Sequence, residues 1–214
     1  MTVWTDRETT DFWRHNTSDL AGDKTARLIM KLTKRYIGCK VLDVGAGSGA
    51  LMRLIPQSVG VDVAPRTQGI QQASIVALPF RDHTFDTVFC CDLLEHLPSQ
   101  TLHHGLSEVA RVLLPGGFLV VTVPYEENLD ESTCYCPKCG SEFHRWGHTQ
   151  SFEKCQIATL LAGAGLSIQS LRVLPLGLLA EHPGWSRQPF RFLYQAATRS
   201  LARQDWRMLV VAKK

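Results

Sequence analysis

Three groups of side chains in this 214-residue sequence have the types and spacings that do chemistry. In Val41-Leu42-Asp43-Val44-Gly45-Ala46-Gly47-Ser48-Gly49 an apolar run carries a carboxylate and leads into three glycines at alternate positions. Glycine takes positive φ and admits a ligand where a Cβ would block it, so the stretch predicts a buried strand turning sharply into a helix beneath a nucleotide-like ligand. Asp62 follows Gly45 by 17 residues, near the ~20 at which an acidic residue on the next strand accepts ribose hydroxyls. Asp92-x2-Glu95-His96 joins two carboxylates to an imidazole, a set that can hold a divalent cation or take a proton from a nucleophile. Cys136, Cys139, His144 and His148 place four sulfur and nitrogen donors within 13 residues. They can close a tetrahedral zinc shell, with Cys134 competing for the place of His148.

Each group has a purely structural alternative. Asp43 could merely cap the glycine turn, Glu95 and His96 could be a helix-start carboxylate and a structural imidazole, and the cysteines could be reduced thiols in an ordinary loop.

The elements that must position these groups follow from periodicity. A strand through Val44 is followed by a short helix over 50–55, closed before Pro56, and a second strand over 58–63 that ends at Asp62. Only 15 residues separate Asp62 from Leu78-Pro79-Phe80, so the helix between strands two and three should be very short or replaced by a loop. A fourth strand over 85–91 delivers Asp92, Glu95 and His96 to the carboxyl edge of the sheet, where open α/β folds place reacting groups. A helix from Ser99 has Leu102, Leu106, Val109 and Leu113 on one face and should stop at Pro115-Gly116-Gly117, before a fifth strand over 118–123. The stretch 123–151 has neither helical nor strand periodicity. A helix from Ser151 then shows Ile157, Leu160, Leu161 and Ala164 on one face, and strands six and seven fall at 166–174 and 206–212.

At the start, Trp4 and Trp13 precede a helix over 19–36 with Leu28, Leu32 and Tyr36 at helical spacing, either packed on the sheet edge or closing over the ligand. Near the end, residues 175–205 interleave Trp185, Phe190, Phe192 and Tyr194 with Arg187, Arg191, Arg199 and Arg203. That stretch is either a loop and helix covering the sheet or a cover over the acceptor site.

The totals bound the function. At 214 residues, with 44% apolar and 20% charged content, the chain suits one globular domain over 1–214 with an insertion at about 128–150. A net charge of +3 is too small to argue for nucleic acid by itself. Seven cysteines, an odd number, with no charged-then-apolar leader favour reduced thiols and a local metal site over a disulfide framework. With no apolar stretch of membrane length either, a cytoplasmic location is expected.

The loop reads G-x-G-x-G, not the dinucleotide pattern G-x-G-x-x-G. Together with Leu78-Pro79-Phe80-Arg81-Asp82-His83-Thr84-Phe85-Asp86, Glu95-His96-Leu97 and Leu113-Leu114-Pro115-Gly116-Gly117, it resembles the class I S-adenosylmethionine (SAM)-dependent methyltransferases of the type 11 group, closely over residues 40–125. The resemblance implies an α/β Rossmann-like fold, a seven-stranded, mostly parallel sheet with one antiparallel strand, flanked by helices. It also implies a SAM site built from Asp43, Gly45, Ala46, Gly47, Gly49, Asp62, Val63, Ser74, Ile75 and Cys91. Ser74 stands where relatives often have an Asp, and its hydroxyl accepts a hydrogen bond more weakly. The segment from Cys136 to His148 resembles a retroviral zinc knuckle with its last ligand changed to His. Asp92-x2-Glu95-His96 looks like the E-x2-E-H patch with which ubiquinone-pathway O-methyltransferases and small-RNA 2′-O-methyltransferases hold a divalent cation, magnesium being the candidate here. Without metal, His96 could itself take the acceptor's proton.

The expected activity is methyl transfer from SAM to a hydroxyl or amine of a small-molecule, sugar or lipid-linked acceptor. RNA ribose 2′-O-methylation is the alternative, with nucleic acid not favoured by the charge. A non-catalytic, zinc-containing SAM-fold binding module is the alternative from another class. A nicotinamide-dependent dehydrogenase is disfavoured by the loop spacing and the chain length.

Overall fold

The computed structural model describes residues 6–15, 22–181 and 206–214. Its centre is a seven-stranded sheet in the order β3-β2-β1-β4-β5-β9-β8. The strands are β1 (Val41–Val44), β2 (Val59–Asp62), β3 (Ile70–Gln72), β4 (Phe85–Cys91), β5 (Leu113–Pro124), β8 (Ser167–Pro175) and β9 (Trp206–Lys213). All neighbours pair in parallel except β9, which runs antiparallel to both β5 and β8. This is the expected α/β Rossmann-like architecture.

Successive side chains leave a strand on opposite faces, and two separate cores result. Leu42, Val88, Cys90, Leu119, Val121, Met208 and Val210 pack to one side, against Leu102, Leu106 and Val109 of α4 (Ser99–Val112) and Ile157 and Leu161 of α5 (Lys154–Gly163). Val41, Phe89, Val120, Leu209 and Val211 pack to the other, against Ala26 and Ile29 of α2 (Asp23–Thr33), Ala50 and Leu51 of α3 (Ala50–Leu54), and Leu176 of α6 (Leu176–Glu181). Burial on both faces explains why β1, β4 and β5 read as nearly unbroken apolar runs. A further helix, α1 (Asp6–His15), precedes α2.

Several sequence expectations need correction. The buried stripe of α2 is Ala26, Ile29 and Thr33; Leu28, Leu32 and Tyr36 are only partly buried. The helix gives way to a 3-10 turn at Lys34–Tyr36, and positions 19–21 lie outside the described residues. Helix α4 ends at Val112, and Leu113 already pairs with Phe85. Proline disfavours helical geometry in the residue before it, so Pro115 acts on Leu114. The L-L-P-G-G motif is therefore the head of β5.

Leu78-Pro79-Phe80, by contrast, is not a strand. It is a loop clamped by Arg111 of α4, whose guanidinium donates to Leu78 O, Phe80 O, Asp82 and Glu108, while Leu78 N donates to Glu108. No helix separates β2 from β3, as the short spacing required. The segment that lacked periodicity contains a hairpin of β6 (Thr133–Tyr135) and β7 (Glu142–His144). Of the aromatic and basic stretch near the end, everything from 182 to 205 lies outside the described residues.

Candidate cofactor and acceptor site

Above the carboxyl ends of β1, β2 and β4 lies a cavity of about 270 Å3. The glycine turn forms one wall. Gly45, Gly47 and Gly49 have φ values of 75°, 52° and 76°, in the left-handed region that favours glycine. A Cβ on Gly45 would also lie 3.0 Å from Leu93 Cδ1. The turn is pinned by Gly45 N and Ala46 N, both donating to Val61 O, at 2.9 and 3.0 Å. Of the ten residues expected at the cofactor, Asp43, Gly45, Ala46, Gly47, Asp62, Val63, Ser74, Ile75 and Cys91 line the cavity; Gly49 lies behind them as the N-cap of α3.

The two aspartates differ in their surroundings. Asp62 Oδ2 accepts from Gly47 N at 2.9 Å and Oδ1 from Ala64 N at 2.8 Å, which fixes the carboxylate at the cavity edge. Asp43 is 4% exposed, and burial, with the repulsion of Asp62 second, pushes its carboxyl up to about 7. A cationic ligand group would restore the charged form.

The opposite wall carries Asp92 and His96. Asp92 sits just beyond β4 with φ 48°. Its Oδ1 accepts from Thr122 Oγ1 at 3.2 Å and pairs with Arg207 Nε at 3.3 Å, so its carboxylate is already engaged across the sheet. Glu95 and His96 occupy a single 3-10 turn, Leu94–His96. Glu95 is fully buried and is not among the residues that line the cavity. Burial, then the neighbouring Asp92, pushes its carboxyl well up. Burial, then His148, depresses the His96 imidazole to about 3, so His96 is neutral at physiological pH, with one ring nitrogen left as a lone-pair donor.

The structure does not bring Cys136, Cys139, His144 and His148 together. Thr133 is opposite His144 and Cys134 is opposite Phe143, so His144 leaves the ribbon on the face opposite Cys134. Cys139 lies at the hairpin tip, its thiol 3.2 Å from Ser141 Oγ. That contact first, with Cys136 also close, holds the thiol below its ordinary range. Both histidines are buried and meet Glu127: His148 Nδ1 lies 2.5 Å from Oε2 and His144 Nε2 3.6 Å from Oε1. Among the described residues, no potential metal-ligand group of three includes a cysteine; the groups are Glu95, His96 and His148, and Glu127, His144 and His148. His148 thus joins Glu95 and His96 where Asp92 was expected.

His148 reaches Glu95 because the 147–150 turn is strapped to the 94–97 turn. Thr149 N and Gln150 N donate to Glu95 O at 2.8 and 3.2 Å, and Thr149 Oγ1 bridges Glu95 O and Leu97 O. Trp13 of α1 packs edge-on against His96, with ring centroids 4.6 Å apart. With Thr10 and Arg66 it lines the cavity. Nothing local in the sequence marks those three as site residues. Among the described residues no helix is long and apolar enough to cross a membrane.

Residues 42–121 match the sequence model of a family described as "Methyltransferase domain". Over 122 residues the chain is 29% identical to the tRNA (carboxymethyluridine(34)-5-O)-methyltransferase of Arabidopsis thaliana, a match covering 51% of this chain and 30% of that protein. Over 111 residues it is 34% identical to the demethylmenaquinone methyltransferase of Tropheryma whipplei (strain Twist), covering 44% of this chain and 46% of that protein. The chain spans less than half the length of these curated relatives. Among solved structures, a chain from the complex of the Haloferax volcanii Trm112 methyltransferase activator with a methyltransferase superposes with a TM-score of 0.67 at 20% identity, covering 98% of this chain and 97% of that one. Residues 42–121 thus match a methyltransferase domain, the solved chain shares the fold, and the relatives differ in what they methylate.

Proposed function

We propose that this chain is a SAM-dependent methyltransferase that acts on a hydroxyl or amine of a small-molecule, sugar or lipid-linked acceptor. The observation that carries the reading is the cavity that holds the glycine turn, Asp43 and Asp62 on one side and a neutral His96 on the other. SAM fits this wall chemically: positive-φ glycines leave bare backbone, buried Asp43 forms no ion pair among the described residues, and Asp62 has lone pairs to spare.

When bound, SAM supplies a methyl group already activated on a sulfonium. In the reading proposed here Asp43 accepts the cofactor's ammonium, Gly45, Ala46 and Gly47 border its methionyl part, Asp62 takes the ribose hydroxyls, and Val63, Ser74, Ile75 and Cys91 border the adenosine. The acceptor oxygen or nitrogen forms its bond to the methyl carbon as the carbon–sulfur bond breaks, and, where no ion engages the His96 Nε2 lone pair, its proton is relayed through that nitrogen to solvent. Alignment alone lowers such a barrier by about 7–11 kcal/mol, and Trp13 and Leu93 help to exclude water. Support for an RNA acceptor comes from the tRNA methyltransferase among the relatives, whose name places the methyl group on a carboxymethyluridine and not on a ribose. A zinc ion on the hairpin would find the neighbouring thiols of Cys136 and Cys139 but neither histidine.

Calorimetry with SAM and with NADH tests the cofactor. Methyl-labelled SAM with a panel of hydroxyl and amine acceptors and tRNA then tests the acceptor. SAM should bind and NADH should not; the reverse refutes the reading. SAM binding with no transfer to any acceptor would favour the non-catalytic binding module.

A further inference from the structure

Glu95 is fully buried, and neither of its carboxylate oxygens meets a hydrogen-bond donor among the described residues. A carboxylate taken out of water with nothing replacing its hydration is costly unless a cation compensates. Two imidazoles stand beside it: donor atoms of Glu95, His96 and His148 lie within 4.8 Å of one another.

The protons of these imidazoles are fixed from behind. His96 Nδ1 lies 3.2 Å from Gly147 O; a carbonyl only accepts, so Nδ1 carries the proton and the Nε2 lone pair is free. His148 Nδ1 lies 2.5 Å from the Glu127 carboxylate, which leaves its Nε2 free by the same argument. An oxygen acceptor behind each ring is how proteins orient metal-binding histidines and raise their basicity. His144 differs. Its Nδ1 accepts the backbone N–H groups of His148 at 3.1 Å and Trp146 at 3.4 Å, so its proton sits on Nε2, facing Glu127. It supports Glu127 and has no lone pair for an ion.

The geometry points to a mononuclear divalent-metal site formed by Glu95, His96 and His148, with Glu127 and Gly147 O holding the two rings from behind. Binding at ~2.1 Å from each donor draws them to about 3.4 Å apart, a small contraction of the present arrangement. Two imidazole nitrogens and one carboxylate suit ions of the Mn2+ to Zn2+ series better than Mg2+, which prefers an all-oxygen octahedron. Three protein ligands leave coordination positions open, and His96 also belongs to the cavity wall. The site deepens the proposed function and rests on it for its role: an acceptor hydroxyl on the ion would lose its proton to water more readily and attack the methyl group as an alkoxide.

The test titrates Co2+ into chelator-treated full-length protein, read by visible absorption and calorimetry, with SAM affinity measured separately. One Co2+ per chain should bind without a thiolate-to-metal charge-transfer band, at least tenfold more tightly than Mg2+. Glu95→Gln and His148→Ala should abolish binding, and Glu127→Gln should weaken it 10–100-fold. The double variant Cys136→Ser/Cys139→Ser should leave it unchanged. Circular dichroism and retained SAM affinity show that each variant is folded. No Co2+ binding by the wild type, binding that survives His148→Ala, or a thiolate band lost in the cysteine variant would overturn the site. Failure of SAM binding would instead refute the methyltransferase reading and leave the metal result standing.

Discussion

Replacing Asp43 by Asn should make the ligand-free protein more stable and its cofactor binding weaker. The amide keeps the carboxylate's shape and removes its charge. In the folded chain the Asp43 carboxyl is raised from 3.8 to about 7, by burial first and Asp62 second. Between those values the folded state holds a proton that the unfolded state has lost, so the contribution of Asp43 to stability is complete below pH 3.8 and falls as pH rises through 7. At about 1.4 kcal/mol per pH unit, the whole loss is about 4 kcal/mol. The Asn variant lacks this titration. Its advantage over wild type should be small at pH 4 and grow towards that limit at pH 8, a gap of about 8–16 °C in Tm for a chain of this size. Thermal melts of both ligand-free proteins across pH 4 to 8 measure it, because groups common to both cancel in the difference. Loss of a charge-assisted bond to the SAM ammonium should weaken SAM binding by about 10–150-fold, or 1.5–3 kcal/mol. Equal Tm values at pH 8, or a gap that does not widen with pH, would refute the reasoning about burial. Unchanged SAM affinity would refute the role.

Asp62→Ala removes the acceptor for Gly47 N and Ala64 N. It should weaken SAM binding more than tenfold by calorimetry and shift the Asp43 titration to lower pH, since it also removes a repelling charge. Gly45→Ala forces a left-handed alanine against Leu93; urea denaturation should show a loss of about 1–3 kcal/mol, together with loss of SAM binding. Arg111→Ala unclamps the Leu78–Asp82 loop from α4 and should cost about 2–3 kcal/mol in the same assay, through partly buried acceptors left unpaired.

The cofactor half of the site was legible in the sequence because its parts are local. The glycine spacing dictates the turn, the apolar runs dictate buried strands, and an acidic residue one strand away must end beside that turn in any parallel sheet. The seven strands and their one reversal were implied by the resemblance to the class I methyltransferases, not by spacing, and the sheet has both. Tertiary structure decided the rest. Whether His148 serves a cysteine pair or Glu95 depends on the faces of the β6–β7 ribbon and on Thr149 and Gln150 tying two turns together across more than 50 residues, and no spacing pattern encodes that tie. Asp92 reads like a ligand until Arg207, at the far end of the chain, takes its carboxylate. Trp13 becomes part of the cavity only because α1 lies over His96. Short-range spacing fixes what backbone geometry must do, whereas the partner of a buried charge is chosen by whichever distant segment packs against it.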